Sequence, residues 1–172
     1  NACLSILNHI EFAHLYQDVG KYEPIWNSVS EIIEKVIGQL NLSEIKIIHD
    51  ISDFELFADP LFEKVLYTCF DNSIKHGERV TEIKIWVDTH SDSCSLMYCD
   101  NGVGIQEDEK EVIFNHGYGK NTGIGLFLAR EILAITKLTI KETGEPGYGS
   151  RFEIEIPTGS WRMDFDNHQK IS

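Results

Sequence analysis

The residues best suited to chemistry lie between Asp100 and Leu126. The stretch opens with Asp100-Asn101-Gly102-Val103-Gly104-Ile105 and closes with Gly117-Tyr118-Gly119-Lys120-Asn121-Thr122-Gly123-Ile124-Gly125-Leu126. It holds six of the thirteen glycines, in two clusters. Glycine leaves room for another molecule against the backbone, and its free N–H groups can cradle phosphate oxygens. The second cluster carries Lys120 and runs into a helical pattern, whose N-terminus favours an anion. Two ordinary surface turns would account for one glycine pair. Two clusters around a lysine, with a helix attached, point to an anion site.

A second set of polar residues lies upstream. Thr68, Asn72 and His76 are spaced i, i+4, i+8 in a helical pattern and share one face, with Lys75 beside them. Taken alone, they are the solvated end of a helix.

Spacing excludes the familiar glycine signatures. A P-loop needs G-x-x-x-x-G-K-[ST], but Asn121 follows Gly119-Lys120 and Phe114 holds the first glycine position. The dinucleotide pattern G-x-G-x-x-G fails at Glu107 for the first cluster and at Leu128 for the second. The protein-kinase glycine loop fails at Thr122, and no G-x-S-x-G elbow occurs.

Composition narrows the partners. The 172 residues suffice for one domain with a full core and an appendage. A formal net charge of −13 argues against nucleic acid or an anionic membrane as the main partner. A polyanion such as ATP would then be held by local backbone dipoles, a metal and one or two lysines. No apolar run approaches the roughly 20 residues of a membrane span, and no signal-peptide pattern is present. Cys3, Cys69, Cys94 and Cys99 show no C-x-x-C spacing, so reduced thiols in a cytoplasmic protein are expected. The chain begins with Asn1, which suggests a fragment of something longer.

These residues need elements to position them. Residues 2–19 carry apolar side chains at near-helical spacing until Gly20 and Pro24 break the pattern. That helix either docks on its own domain or pairs with a second copy or a preceding helix. Val29, Ile32, Ile33, Val36, Ile37 and Leu40 mark a second helix, with Ser28-x-x-Glu31 as a capping box. Extended segments are expected at 45–49 and 55–58. Asp59-Pro60 then reads as the start of a helix running to His76. Two alternating strands follow, the second delivering Asp100 to the first glycine cluster. Residues 105–114 are acidic and weakly helical, and 123–135 form another helix. Two final strands, 138–142 and 151–156, flank a glycine-rich hairpin, and a polar tail follows from Thr158, with Trp161 as its one anchor. The order does not alternate as parallel β/α units do. It favours an α+β fold, with helices layered on one face of a mixed sheet.

A helical Asn, an Asp-x-Gly-x-Gly, a flexible segment and a Gly-x-Gly-Leu opening a helix resemble the GHKL superfamily. Its members are sensor histidine kinases, gyrase-type topoisomerases, heat-shock chaperone ATPases and mismatch-repair ATPases. The resemblance covers residues 28–158. Asp71-Asn72-Ser73-Ile74-Lys75-His76-Gly77 is similar to the N box, Asp100 to Gly104 to the first glycine box, and Phe114 to the F box. Thr122-Gly123-Ile124-Gly125-Leu126 is similar to the second glycine box, and Gly147-Tyr148-Gly149-Ser150-Arg151-Phe152 to the last.

The resemblance implies the Bergerat fold: a two-layer sandwich of a mixed β-sheet with helices on one face. It implies ATP and Mg²⁺ as cofactors. Asn72 would ligate Mg²⁺ through its carbonyl oxygen. Asp100 would accept a hydrogen bond from the adenine amino group, where guanine presents a carbonyl. Gly102 and Gly104 would let the base lie against the backbone, with Ile105 and Leu126 among the nucleotide contacts. Lys75 and Lys120 would reach phosphates, and His76 would pack near the nucleotide. Thr122, Gly123 and Gly125 would meet the phosphates at the helix start, and residues 115–122 would form a lid.

Hydrolysing branches of the family have a Glu one helical turn before the metal-binding Asn. This chain has Thr68 there, which is no general base at neutral pH. Phosphoryl transfer to a protein is therefore expected, as in a sensor histidine kinase. Residues 1–20 resemble the last helix of the dimerisation and histidine-phosphotransfer region, 28–158 the catalytic domain, and 159–172 a polar tail. The acceptor histidine would lie on a helix outside this chain, since neither His9 nor His14 has the expected setting, and the fragment alone would be inactive. The implied partners are ATP, a histidine-bearing dimerisation domain in cis or trans, a second copy of the parent, and a downstream response regulator. Two rival readings are a serine-kinase anti-sigma factor of the same fold and a nucleotide-binding scaffold without turnover.

Overall fold

The computed structural model describes residues 10, 13–51, 53–90, 93–119 and 123–163. Helix α1 covers residues 13–18. It is followed by strand β1 (Ile25–Ser28), helix α2 (Val29–Gln39), strands β2 (Lys46–His49) and β3 (Phe54–Ala58), and helix α3 (Phe62–His76). Strands β4 (Glu82–His90) and β5 (Ser93–Asp100) come next, then a 3₁₀ turn at Val112–Phe114 and helix α4 (Gly125–Ala134). Strands β6 (Thr139–Glu142), β7 (Arg151–Ile156) and β8 (Trp161–Met163) complete the described chain.

The main sheet has the order β2-β4-β5-β7-β6, with β2 and β4 parallel and the other neighbours antiparallel. Period-two alternation sorts its faces. Ile83 and Ile85 on β4, Leu96 and Tyr98 on β5, and Phe152 and Ile154 on β7 all turn inward and are buried. The helices cover that face: Val29, Ile33 and Val36 of α2 recur at helical spacing, as do Phe62, Val65, Leu66, Cys69 and Phe70 of α3. Each fully buried side chain of this size contributes about 1.5–3 kcal/mol of transfer free energy. This is the expected α+β sandwich.

Local chemistry sets the helix starts. Ser28 Oγ accepts the Glu31 N–H at 3.4 Å and caps α2. Asp59 Oδ1 accepts the Leu61 N–H at 2.8 Å and opens the turn that leads into α3. The same buried carboxylate, through Oδ2, accepts the Gly20 N–H at 2.8 Å. Tyr16 of α1 stacks on Phe127 of α4 at 6.2 Å. The described part of the first helix therefore docks on its own domain; residues 1–9, 11 and 12 lie outside the described residues.

Three expectations need correction. Residues 25–28 form a strand, and β1 and β8 flank β3 in a second, three-stranded sheet. Pro24 reads as a break directly before β1, and the β3 partner lies some thirty positions away in sequence, so the local pattern does not mark the strand. The tail is not simply polar: Trp161–Met163 pair with β3, Trp161 stacks on Phe54 at 6.2 Å, and Arg162 bonds Glu55 while its guanidinium lies 4.3 Å from the Trp26 ring centre. Residues 105–114 are turns ending in a single 3₁₀ turn, because Phe114 is buried against Phe152 and the segment is tied down by Lys110, which donates to Gly144 O at 2.7 Å.

Candidate functional site

One face of α3, the start of α4 and the glycine-bearing loops enclose a cleft of about 780 Å³. The α3 stripe runs Lys64, Thr68, Asp71, Asn72, Lys75 and His76, and all six line the cleft. The spacing that places Thr68, Asn72 and His76 together is the helical repeat read in the sequence. Opposite them stand Gly104, Ile105, Gly123, Gly125 and Leu126. Of the sequence-derived candidates, eight thus share one cavity; Asp100 and Gly102 sit behind its wall, and Lys120 and Thr122 lie outside the described residues.

Asp100 is only 3% exposed, yet its carboxylate is well satisfied. Oδ1 accepts the Gly102 N–H at 2.9 Å and the Ser150 N–H at 3.0 Å. Oδ2 accepts the Ser73 hydroxyl at 2.6 Å. Three charge-assisted bonds hold an anion that would otherwise be costly to bury. An ionised carboxylate offers about four lone-pair sites. Both sites on Oδ1 are taken, so the remaining one is on Oδ2.

Sequence reading missed the support for this group. Ser73 Oγ also meets Tyr98 Oη at 2.9 Å, and both residues are buried. Burial pushes the Tyr98 hydroxyl well above the usual phenol range, so it stays protonated. Burial likewise pushes the Cys69 thiol, one turn before Ser73, up to about 12, with the Asp100 charge adding to the effect. The one available signal was that Tyr98 and Asp100, two apart on a strand, must share a face.

The glycines act in different ways. A Cβ on Gly102 would lie 2.6 Å from Gly77 O and 2.9 Å from Val80 Cγ2, so this glycine serves the packing of the first loop on the end of α3. The side of Gly102 that a Cβ would occupy is thus filled by the end of α3. Gly104, with φ of +71°, lies against the backbone of the 145–149 hairpin and does border the cleft. Gly117 N–H donates to Gly123 O at 3.0 Å and so ties together the two ends of a loop within the second glycine cluster. On that loop, Tyr118 donates its hydroxyl to Glu109 Oε1 at 2.8 Å, and both residues line the cleft.

Cations and metal-binding groups are sparse. Lys75 Nζ sits 2.7 Å from Asp71 Oδ2. Asn72 Nδ2 is buried without a hydrogen-bond partner, which leaves the carbonyl oxygen as the amide atom available to a ligand. Among the described residues, no group of three or more His, Cys, Asp or Glu converges on a metal position. Phe114, buried under the Arg130 guanidinium at 4.3 Å, is a core residue. No helix among the described residues is long and apolar enough to cross a membrane.

Known proteins share this sequence and architecture. Sensor protein CiaH of Streptococcus pneumoniae is 31% identical over 111 residues, covering 59% of this chain and 25% of that protein. The adaptive-response sensory kinase SasA of Crocosphaera subtropica is 30% identical over 138 residues, covering 74% of this chain and 36% of that protein. The chain thus spans about a quarter to a third of these relatives. In structure it is similar to full-length ShkA, solved with AMPPNP, at a TM-score of 0.73 and 20% identity over 91% of this chain and 36% of the other. The profile of the histidine kinase-, DNA gyrase B-, and HSP90-like ATPases matches residues 58–160. That span begins at the last residue of β3 and carries the α3 stripe, Asp100 with its holders and the start of α4, and by it the chain belongs to this ATPase family.

Proposed function

We propose that this chain is the ATP-binding catalytic domain of a sensor histidine kinase, which donates the γ-phosphoryl group of Mg-ATP to a histidine on a dimerisation domain. The observation that carries the reading is Asp100: a buried carboxylate held by three donors, with one lone pair left for the adenine amino group. At the other side of the cleft, the first N–H groups of α4 have no acceptor within the helix and face the phosphates. Gly123, Gly125 and Leu126 provide this edge. Lys75 and His76 border the same space, and Lys75 offers its ammonium to phosphate while it stays paired with Asp71. We assign Lys120 and Thr122 to nucleotide contacts as well.

Asn72 suits Mg²⁺. A single amide oxygen, with no carboxylate cage around it, matches an ion that keeps most of its shell for phosphate and water. Bound there, Mg²⁺ would neutralise phosphate charge and polarise the transferring group.

Transfer is favoured over hydrolysis. The described carboxylates lining the cleft are Asp71 and Glu109. Asp71 pairs with Lys75 and Glu109 accepts from Tyr118, so neither is free to activate water. Thr68 packs its methyl toward Gly125. We read residues 1–20 as the end of a dimerisation and phosphotransfer region, of which Leu15 lines the cleft and Tyr16 stacks on α4. In the parent we expect a cytoplasmic homodimer that passes the phosphoryl group to a response regulator.

The test is γ-labelled ATP with the full-length parent. Acid-labile, alkali-stable label on the protein is the expected result. Acid-stable label would indicate a serine kinase of the anti-sigma type, and no label a binding scaffold.

A further inference from the structure

Asp100 has one usable lone pair, and it is on the oxygen that Ser73 holds. Oδ1 is saturated by the Gly102 and Ser150 N–H groups. Any ligand donor must therefore go to Oδ2, whose direction is set by the Ser73 hydroxyl at 2.6 Å. The proton order in this chain is fixed. A carboxylate only accepts, so Ser73 spends its single proton on Asp100. The contact of 2.9 Å between Ser73 Oγ and Tyr98 Oη must then be Tyr98 donating to Ser73. Ser73 and Tyr98 are 2% and 1% exposed, so water does not compete for either hydroxyl.

Three elements lock the relay in place. Ser73 lies on the inner face of α3, next to the cleft-lining Asn72. Tyr98 and Asp100 lie two apart on β5, in register with Ile85 and Ile83 of β4. The Tyr98 ring is packed edge-on against Phe70 at 5.2 Å and at a tilt against Phe152 at 6.3 Å.

We propose that Ser73, oriented by Tyr98, is the positioning residue that aims Asp100 Oδ2 at the exocyclic amino group of the nucleobase and so sets the preference for adenine. The inference rests on the ATP reading above. Neither hydroxyl touches nucleotide; both act through Asp100. Losing Ser73 leaves the carboxylate held at Oδ1 alone, so Oδ2 loses the one donor that fixes its own position. The phosphate end of the cleft is untouched.

The experiment compares ATP with purine riboside triphosphate, which lacks only the amino group. Affinities are measured by calorimetry for the unmodified chain, Ser73→Ala, Tyr98→Phe and the double variant, each checked for folding by thermal unfolding. One hydrogen bond to a charged group corresponds to roughly a tenfold or larger preference for ATP. Ser73→Ala is expected to remove most of that preference while affinity for purine riboside triphosphate stays within about twofold. Tyr98→Phe is expected to reduce the preference severalfold, and the double variant to be no worse than Ser73→Ala, because Tyr98 acts through Ser73. A Ser73→Ala protein that keeps the full preference, or loses affinity for both nucleotides alike, overturns the proposal. If Ser73→Ala does not fold, Tyr98→Phe decides: an unchanged preference there overturns it too. An unmodified chain with no preference for ATP overturns the adenine reading itself, a result distinct from failure of Ser73 alone.

Discussion

The Cγ2 methyl of Thr68 lies 3.1 Å from where a Cβ on Gly125 would sit. Helices α3 and α4 therefore touch at the first residue of α4, where the N–H groups without an acceptor in the helix begin. That contact ties the Thr68–Asn72 stripe of α3 to the first turn of α4 and leaves little room for a side chain at residue 125.

Gly125→Ala should push the start of α4 away from α3. Small-to-large changes in tight packing cost about 1–3 kcal/mol. Urea unfolding should register that loss, and ATP affinity should fall with it. Thr68→Ser removes the opposing methyl, so the double variant should recover both. A double variant no better than Gly125→Ala would show that the methyl is not the obstacle.

Asp100→Asn should abolish measurable ATP binding. The amide brings an N–H₂ toward Ser73 and the adenine amino group, two donors that the carboxylate accepted. Each charged hydrogen bond lost is worth about 1.5–3 kcal/mol. Calorimetry showing the original affinity in a folded Asp100→Asn protein would refute the adenine assignment.

For Asn72→Ala, the expected change is in the response to Mg²⁺ and not in nucleotide binding without metal. Titrating ATP with and without Mg²⁺ separates the two. A variant whose affinity still rises with Mg²⁺ would take the metal role away from Asn72.

Alkaline pH should weaken the fold through Cys69. An ordinary thiol releases its proton near 9, whereas burial keeps this one to about 12 in the folded chain. The folded-state value is raised, so the contribution is complete below 9 and is lost as pH climbs toward 12. The slope is about 1.4 kcal/mol per pH unit for one such group. Tyr98 acts in the same direction at higher pH, since burial also raises it. Urea unfolding at stepped pH above 9 should show a shallower decline for Cys69→Ala; equal slopes would exclude the thiol as the cause.

The sequence by itself determined the long amphipathic helices, the alternating strands and the order of the motifs. These depend on periods of 3.6 and 2, which a window of ten or so residues displays. For the same reason Asn72, Lys75, His76, Gly104 and Gly125 could be placed on one site from their spacing and their family likeness. Only the tertiary structure decided the rest. Strands β1 and β8 exist because β3 lies between them, and both pair with a strand far away in sequence. Gly102, read as a seat for a base, packs on Gly77 because the first loop folds back on the end of α3. The Tyr98–Ser73–Asp100 relay joins a helix to a strand across 25 and 27 positions. A hydrogen bond over that separation leaves no periodic trace. It forms because the inner faces of α3 and β5 are pressed together by the same core that the sequence pattern announces.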